Sequence, residues 1–295
     1  MEEIKSLPVK RQVSVSGILK KLGVSRSGYN AWKKRVPSDT SVRRAVLKEK
    51  IQKIYEESHQ NYGAPKITAE LRKSGESISE KTVGNYMRQM GIKAQWVKPY
   101  IQTTIDCDFS QQLKNVLNEE FNPDQPDAVW CSDITYIWTI EGFVYLTSVM
   151  DLYSRKIISW VLSETLEASH VVECIEKAKR VRNVEKPLIF HCDRGCQYVS
   201  EAFQKATKGM IRSYSKKAYP WDNACIESFH ALLKREWINR FKIFNYAHAY
   251  KLVFEYIETF YNTIRIHSHC GYLSPNEYEE QYLENIEENA IKIAS

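Results

Sequence analysis

The chain has no long apolar run. Nowhere in the sequence do about 18 apolar residues follow one another, so we expect no membrane-spanning helix. The first residues, MEEIKSLPVKRQ, lack the apolar stretch that a secretory signal peptide needs. Both absences predict a cytoplasmic protein without a membrane partner.

Cysteine is present without a recognisable pattern. The seven cysteines are an odd number and their spacing does not indicate disulfides, so we interpret them as reduced thiols. Two groups of cysteine and histidine, around Cys192 and around His267, fall short of the four ligands of a structural zinc site. No serine lies in a Gly-x-Ser-x-Gly turn, which argues against an enzyme with a serine nucleophile.

Charge is unevenly distributed along the chain. The first 100 residues contain 21 Lys and Arg against 9 Asp and Glu, a net charge of +12, whereas the remainder contains 21 against 27, a net charge of −6. A basic front half predicts a module that binds a polyanion, placed before a separate catalytic or structural module. The alternative is a basic helical face that is merely solvated.

The first basic segment, residues 1–40, has the pattern of a helix-turn-helix. In SVSGILKKLGVSRSGYNAWKKR, Gly23 is expected to end one helix and Ser25 to cap the next. Arg26 and Lys33 would then lie near the face that contacts DNA.

A second helix-turn-helix-like segment occupies residues 41–98. In NYGAPKITAELRKSG and SISEKTVGNYMRQMGI apolar residues recur at helical spacing, with Ser79 as the expected N-cap and Gly91 as the expected stop. Four polar side chains are expected to face outward toward phosphates or base edges: Lys66, Lys81, Asn85 and Arg88. The segment favours DNA over RNA or a membrane surface, because it has no basic–aromatic stacking pattern and no amphipathic membrane helix.

Strand patterns follow a polar stretch, residues 99–125, that we interpret as a linker with one short helix. VWCSDITYIW predicts one strand, EGFVYLTSVMDLYSRKIISWVLS two more, and PLIFHCD and IRSYS the fourth and fifth, with helical patterns between and after them. This order predicts an α/β fold, a ribonuclease-H-like mixed five-stranded sheet with flanking helices. We assign this domain to residues 126–285, including a carboxyl-terminal helix, and expect residues 286–295 to form a frayed tail.

Three acidic residues fall where such a sheet would bring them together. Asp133 lies on the first strand, Asp193 follows the fourth, and Glu227 lies on the helix after the fifth. Magnesium and manganese prefer oxygen ligands, and two such ions about 3.5–4 Å apart can activate the attacking oxygen and neutralise the leaving oxygen in phosphoryl transfer. Taken singly, each acid also has a structural explanation: a partner for a tyrosine hydroxyl, a turn residue and a helix ion pair.

Three long motifs carry a family resemblance: HCDRGCQYVSEAF, SYSKKAYPWDNACIESFHALLKREW and YIETFYNTIRIHSHCGYLSPNEY. Together with NYGAPKITAELRKSG, they resemble the insertion-sequence transposases that have a DDE integrase catalytic core. The closer resemblance is to the second-frame (OrfB) protein of the insertion sequence three family. It extends from about Ser16 to Tyr278.

The resemblance assigns roles to individual residues. It implies that Asp133, Asp193 and Glu227 are the catalytic metal ligands. It also implies that Lys234, seven residues after Glu227 on the same helix face, positions a DNA phosphate. Asp222 is the expected N-cap of this helix. The 33 residues between Asp193 and Glu227 are slightly fewer than the family usually has.

A further family signature lies near the end of the chain, at Tyr261, Asn262, Arg265 and His267. It follows a long helical pattern that begins at Tyr246. Its residues either support DNA and the active site or form a buried polar cap that fixes the end of the helix, and we favour the second interpretation.

The resemblance implies a DNA transposase that cleaves and transfers strands at insertion-element ends with two Mg²⁺ or Mn²⁺ ions. Its implied partners are double-stranded DNA of the element ends and target, further copies of the chain as a homo-oligomer on DNA, and an upstream-frame transposase protein. When bound to DNA it would be associated with the nucleoid. Two other hypotheses stay open: a catalytically inert DNA-binding regulator, and a metal-dependent structure-specific nuclease.

Overall fold

The structure is a computed structural model that describes residues 14–95, 113–182, 184, 187–216 and 219–294. Much of the expected linker, and the first 13 residues of the first expected segment, lie outside these ranges. The chain divides into two compact units, residues 1–52 and residues 53–295. Within the described ranges, no helix combines the length and the apolar character that crossing a bilayer requires.

The amino-terminal helices begin and end largely where the sequence predicts. They are α1 (Val15–Lys21), α2 (Arg26–Lys33), α3 (Asp39–Glu57), α4 (Ala64–Lys73) and α5 (Glu80–Met90). The Ser25 hydroxyl caps α2 by accepting a hydrogen bond from the Gly28 N–H at 3.0 Å. Ser79 caps α5 in the same way, and Gly91 ends it with a left-handed backbone, φ +71°.

The five predicted strands form one mixed sheet. They are β1 (Val129–Thr139), β2 (Gly142–Asp151), β3 (Ile157–Ser163), β4 (Ile189–Cys192) and β5 (Ile211–Tyr214). Their order across the sheet is β3-β2-β1-β4-β5. The β1–β2 and β2–β3 pairs are antiparallel, whereas β1–β4 and β4–β5 are parallel. This is the ribonuclease-H-like arrangement that the sequence predicts.

Helices complete the domain. They are α6 (Ala168–Val181), α7 (Cys196–Val199), α8 (Glu201–Ala206), α9 (Ala224–Glu236), α10 (Tyr246–Phe254) and α11 (Pro275–Ala294), with short 3-10 helices at Pro220–Asn223 and Ile238–Arg240 and a π-helix at Glu255–Tyr261. Alternate residues of β1 enter two separate apolar clusters, because successive side chains of a strand point to opposite faces. Cys131 and Ile137 belong to the cluster with α9 and α10, and Trp130 to the cluster with α6.

The family signature after the π-helix forms buried polar contacts. The Arg265 guanidinium donates hydrogen bonds from Nε and Nη2 to the two Glu236 carboxylate oxygens, each at 2.7 Å. Asn262 pairs with the backbone N–H and C=O of Ile157, both at 3.0 Å. These contacts satisfy polar groups inside the core, which agrees with a polar cap that fixes the end of the helix.

The segment before α4 packs against this polar cap. The buried Tyr62 hydroxyl donates to the Ile264 carbonyl at 3.2 Å and accepts from the Ile266 N–H at 2.9 Å. The Lys73 ammonium on α4 lies 3.0 Å from the Glu277 carboxylate on α11. Residues about 200 positions apart in sequence are therefore joined directly.

Two local expectations were wrong. Asp222 does not cap α9, because its carboxylate accepts a hydrogen bond from the Lys216 N–H at 2.6 Å and the preceding 3-10 helix makes Asn223 the N-cap residue. Residues 113–125 contain no helix, but the rest of the expected linker lies outside the described residues, so its short helix stays a prediction. The expected frayed tail is helical to Ala294, where side-chain pairs such as Glu288–Lys292 support α11.

The Arg265–Glu236 pair supplies the first prediction. Burial alone would raise the pKa of Glu236, but the hydrogen bonds and charge of Arg265 outweigh burial and hold that pKa below its ordinary value. Glu236→Gln leaves the buried Arg265 charge uncompensated, so we expect the free energy of unfolding to fall by about 3–5 kcal/mol in urea denaturation.

The matched control for this prediction is an exposed pair. Glu201 and Lys205 lie 2.7 Å apart with side chains 82% and 75% exposed. Because solvent screens such a pair, Glu201→Gln should change the free energy of unfolding by less than about 0.5 kcal/mol. Equal, small effects of the two substitutions would contradict the structural role of Arg265.

Candidate active site

Strand pairing brings Asp133 and Asp193 to the same place. The parallel register of β1 and β4 ends at Ser132 opposite Cys192. Asp133 follows Ser132 and Asp193 follows Cys192, so the two acids lie side by side where β4 ends. The structure thus provides the strand-end arrangement that the sequence predicts for these two acids.

The turn after β4 is shaped around the Asp193 carboxylate. Its Oδ1 accepts a hydrogen bond from the Gly195 N–H at 2.9 Å. A Cβ atom at Gly195 would stand 3.0 Å from this oxygen, closer than nearly all real contacts of that kind. Arg194 fixes the turn by donating from Nε to the Ser215 carbonyl at 2.8 Å. A residue larger than glycine would displace the carboxylate.

Helix α9 brings the third acid to the other two. Ile226, Phe229 and Leu233 bury one face of the helix in the apolar core, which fixes its rotation over the sheet. Burial, together with the smaller effect of the Asp133 and Asp193 charges, raises the pKa of Glu227 to about 7. Glu227 is therefore close enough to both acids to be repelled by them.

His230 is a polar neighbour of Asp133 whose role the sequence did not reveal. It lies one turn after Glu227, with its side chain only 6% exposed. Its Nδ1 is 3.4 Å from Asp133 Oδ2, and its Nε2 is 3.4 Å from the Ser148 hydroxyl. Ser148 is the residue that faces Asp133 across the β1–β2 pair. His230 thus links Asp133 to the adjacent strand and restricts where its carboxylate can lie.

Lys234 stands on the same face of α9, as predicted. Its ammonium is 4.4 Å from the centre of the Tyr136 ring, a cation–π distance. Burial lowers the pKa of Lys234, and the charge of Asp133 opposes that effect. A positive charge therefore lies close to the acids.

The chemistry of the site suits a hard divalent cation. The three acids offer oxygen ligands only, and a bound cation would offset the negative charges of Asp133 and Asp193 that, in addition to burial, raise the pKa of Glu227. In the described part of the chain, however, no three His, Cys, Asp or Glu side chains are arranged as a group that could hold a metal ion. The acids converge without forming a closed ligand set.

The residues expected to contact DNA have different surroundings. Arg26 and Lys33 are exposed on α2. On α5, Lys81 and Arg88 are exposed, and Arg88 donates to the Asn85 side chain at 2.7 Å. These three α5 residues share one helix face.

Lys66 differs from the outward-facing residue that the sequence predicts. It is half-buried, with its ammonium 4.9 Å from the centre of the Tyr62 ring. Burial and, to a smaller extent, the Arg265 charge lower its pKa to about 7, with Glu236 acting in the opposite direction. Because Arg265 and Glu236 lie far away in sequence, helical periodicity could not reveal them.

The convergence of the acids gives a prediction about pKa. Asp133→Asn removes one of the two negative charges that act on Glu227, so the pKa of Glu227 should fall from about 7 toward 4.5. Nuclear magnetic resonance of side-chain-labelled glutamate in metal-free protein measures it. Ser228→Ala, a neutral change at an exposed neighbour, is the control and should leave that pKa unchanged.

The same shift has a consequence for stability. A carboxyl whose pKa is higher in the folded than in the unfolded chain favours folding only while it is protonated. Its contribution is therefore present at low pH and is lost as pH rises from about 4.5 to about 7. That loss should be smaller in Asp133→Asn. Identical pH profiles for Asp133→Asn and the parent chain would show that the acids do not converge.

Family models cover most of the chain. An integrase core domain model matches residues 123–219, a second integrase core domain model matches residues 208–275, and an HTH-like domain model matches residues 42–100. These matches coincide with the sheet-containing domain and with the second basic helical segment.

Known transposases are similar over most of their length. The transposase for insertion sequence element IS904 of Lactococcus lactis subsp. lactis (strain IL1403) is 38% identical, over 83% of this chain and 98% of that protein. Transposase InsF for insertion sequence IS3A of Escherichia coli (strain K12) is 34% identical, over 92% of this chain and 96% of that protein.

A solved structure of the HTLV-2 integrase catalytic core domain in complex with magnesium is 15% identical and has a TM-score of 0.40, over 53% of this chain and 98% of that one. That likeness is too low to support an argument, and the fold rests on the strand order itself. The identity of 34–38% over nearly the full length of the curated relatives, together with the matched domains, shows that this chain belongs to the insertion sequence three family of transposases, with an integrase core and an HTH-like domain.

Proposed function

We propose that the protein catalyses divalent-metal-dependent cleavage and strand transfer of DNA at the ends of an insertion element. The observation that carries this proposal is the convergence of Asp133, Asp193 and Glu227, expressed in the raised pKa of Glu227. Membership of a transposase family supports the choice of DNA as substrate. The polar surroundings of the acids favour a site for charged reactants over a structural core.

In this proposal Asp133, Asp193 and Glu227 hold two Mg²⁺ or Mn²⁺ ions. When bound, these ions supply Lewis-acid charge that activates the attacking oxygen and stabilises the leaving oxygen at phosphorus. The chain's contribution is to fix the three carboxylates before DNA arrives, which avoids reorganisation during the reaction. The Gly195 N–H orients Asp193, and His230 with Ser148 restricts Asp133.

Lys234 is proposed to bind a DNA phosphate next to the scissile bond. Its ammonium is held near Asp133 by α9, and the Tyr136 ring supports it from one side. A lysine acts on phosphate as a compact point charge, so its effect depends on distance more than on orientation. This role positions the DNA strand over the acids.

The basic helices would contribute further contacts with double-stranded DNA, outside the candidate active site. Arg26 and Lys33 on α2, and Lys81, Asn85 and Arg88 on α5, are proposed to contact phosphates and base edges of the element ends. Lys66 lies near Tyr62, Arg265 and Glu236 of the polar cap, so it would affect DNA binding indirectly, by supporting the packing of α4. We also propose that the chain works as a homo-oligomer on paired ends and cooperates with an upstream-frame transposase protein.

Strand cleavage and joining test the proposal. The purified chain is incubated with labelled element-end DNA, target DNA and magnesium, and products are separated on a denaturing gel. We expect nicked and joined products that need a divalent metal. Asp193→Asn removes a metal ligand worth several kcal/mol, so the rate should fall on the order of a thousandfold.

Control variants separate this function from the alternatives. Asp124→Asn, an acid on the described segment before β1 rather than in the site, should leave the rate unchanged. Metal-dependent cleavage without joining would identify a nuclease. DNA binding without any cleavage, unchanged by Asp193→Asn, would identify an inert regulator and reject the enzyme.

Lys234 gives a separate prediction about salt. If it neutralises one DNA phosphate, Lys234→Gln should reduce the slope of log affinity against log salt by about 1 and weaken binding similarly for all sequences. Fluorescence anisotropy with a labelled duplex measures both effects. Lys251→Gln, at an exposed lysine on α10, is the matched control, and an equal change in its slope would contradict a specific role for Lys234.

A further inference from the structure

The outer half of β1 is only partly paired. Its register with β4 stops at Ser132, whereas its register with β2 continues to Thr139 opposite Gly142. From Asp133 onward, the edge of β1 on the β4 side thus has no partner strand among the described residues. This open edge begins at the candidate active site.

Three aromatic side chains project from this half of the hairpin. Trp138 on β1 faces Phe143 on β2, with ring centres 4.8 Å apart, and Tyr136 lies 5.3 Å from the same Phe143 ring. Trp138 is 62% exposed, Phe143 47% and Tyr136 44%. Large aromatic surfaces are costly to leave in water, so a cluster of three at one place indicates a binding surface. We name these three residues the aromatic platform.

The aromatic platform is continuous with the active site. Tyr136 contacts the Lys234 ammonium, and Lys234 is near enough to Asp133 for the Asp133 charge to raise the pKa of Lys234. Because α9 packs on the Asp133 face of the sheet, Lys234 reaches the Tyr136 ring across the open edge of β1. A ligand held by the acids and Lys234 would extend directly onto the rings.

We propose that the aromatic platform stacks unpaired bases of the DNA strand whose phosphate lies at the acids. This inference rests on the proposed function. Aromatic rings beside a cation suit single-stranded nucleic acid, because bases stack on rings while phosphates bind the cation. In a paired duplex both faces of a base are covered by its neighbours, so only an unpaired base near the cleaved end can stack in this way.

A binding experiment tests this. The full chain is mixed with magnesium and either a blunt duplex or the same duplex with a single-stranded extension that carries 2-aminopurine, whose fluorescence falls on stacking. Gel analysis confirms that the scored DNA is uncut. We expect the parent chain to prefer the extended duplex and to quench the probe. Trp138→Ala and Phe143→Ala should each reduce this preference about tenfold, since one stacked base contributes on that order.

Matched variants guard against trivial effects. Trp138→Phe keeps a ring and should retain most of the preference. Phe254→Ala removes a ring of similar exposure, 45%, from the last residue of α10, outside the aromatic platform, and should change nothing. Binding of the blunt duplex, circular dichroism and thermal unfolding should be unaltered in all four variants.

Contrary outcomes are distinct. An unchanged preference in both alanine variants overturns the aromatic platform, as does a change confined to the sedimentation of the DNA-free protein, which would make the rings a contact between copies. If the parent chain cleaves and joins DNA while the preference is unchanged, only the platform fails. If the preference depends on the rings but no metal-dependent cleavage occurs, the proposed function fails and the platform stands.

Discussion

Mutual repulsion between three carboxylates is the constraint on which the rest of this domain depends. Like charges repel, so Asp133 and Asp193 disfavour the ionised form of Glu227, and their charges add to the larger effect of burial in raising its pKa. The parallel pairing of β1 with β4 holds two of them, and α9 holds the third. Each fully buried side chain on α9, such as Phe229, contributes about 1.5–3 kcal/mol, so a few of them outweigh the repulsion.

Buried polar contacts also fix α4, one of the basic amino-terminal helices, against the sheet-containing domain. Glu236, the last residue of α9, pairs with Arg265, and the neighbouring Ile266 N–H donates a hydrogen bond to the Tyr62 hydroxyl. Because the Lys73–Glu277 pair joins α4 to α11 as well, α4 is fixed at more than one point against the sheet-containing domain. The family signature thus acts as a structural joint, although it lies far in sequence from both the acids and α4.

The sequence predicted those features that depend on local pattern. Alternation and apolar runs predicted the five strands, and the order of the elements predicted that Asp133, Asp193 and Glu227 lie near one another, because strand ends and helix faces follow from periodicity. The role of these three acids as metal ligands stays a prediction. Contacts between segments far apart in the chain could not be predicted from the sequence pattern. The burial of Lys66 near Arg265 and Glu236 depends on how segments about 170–200 residues apart pack against each other, which no spacing encodes. The exposure of Trp138 was hidden likewise, since a strand pattern does not show where the covering helices stop.

On the proposed function, the group that balances the negative charge of Asp133 differs between the free protein and the DNA-bound protein. In the structure, the charge of Asp133 acts on the Lys234 ammonium, which also contacts the Tyr136 ring. On the proposed chemistry, divalent ions bound by the acids would balance Asp133 instead, leaving the Lys234 ammonium able to pair with a phosphate. The same lysine could not neutralise both groups fully, because a single positive charge matches one negative charge. Metal binding and DNA binding are therefore expected to strengthen each other, with Lys234 as the group through which they are coupled.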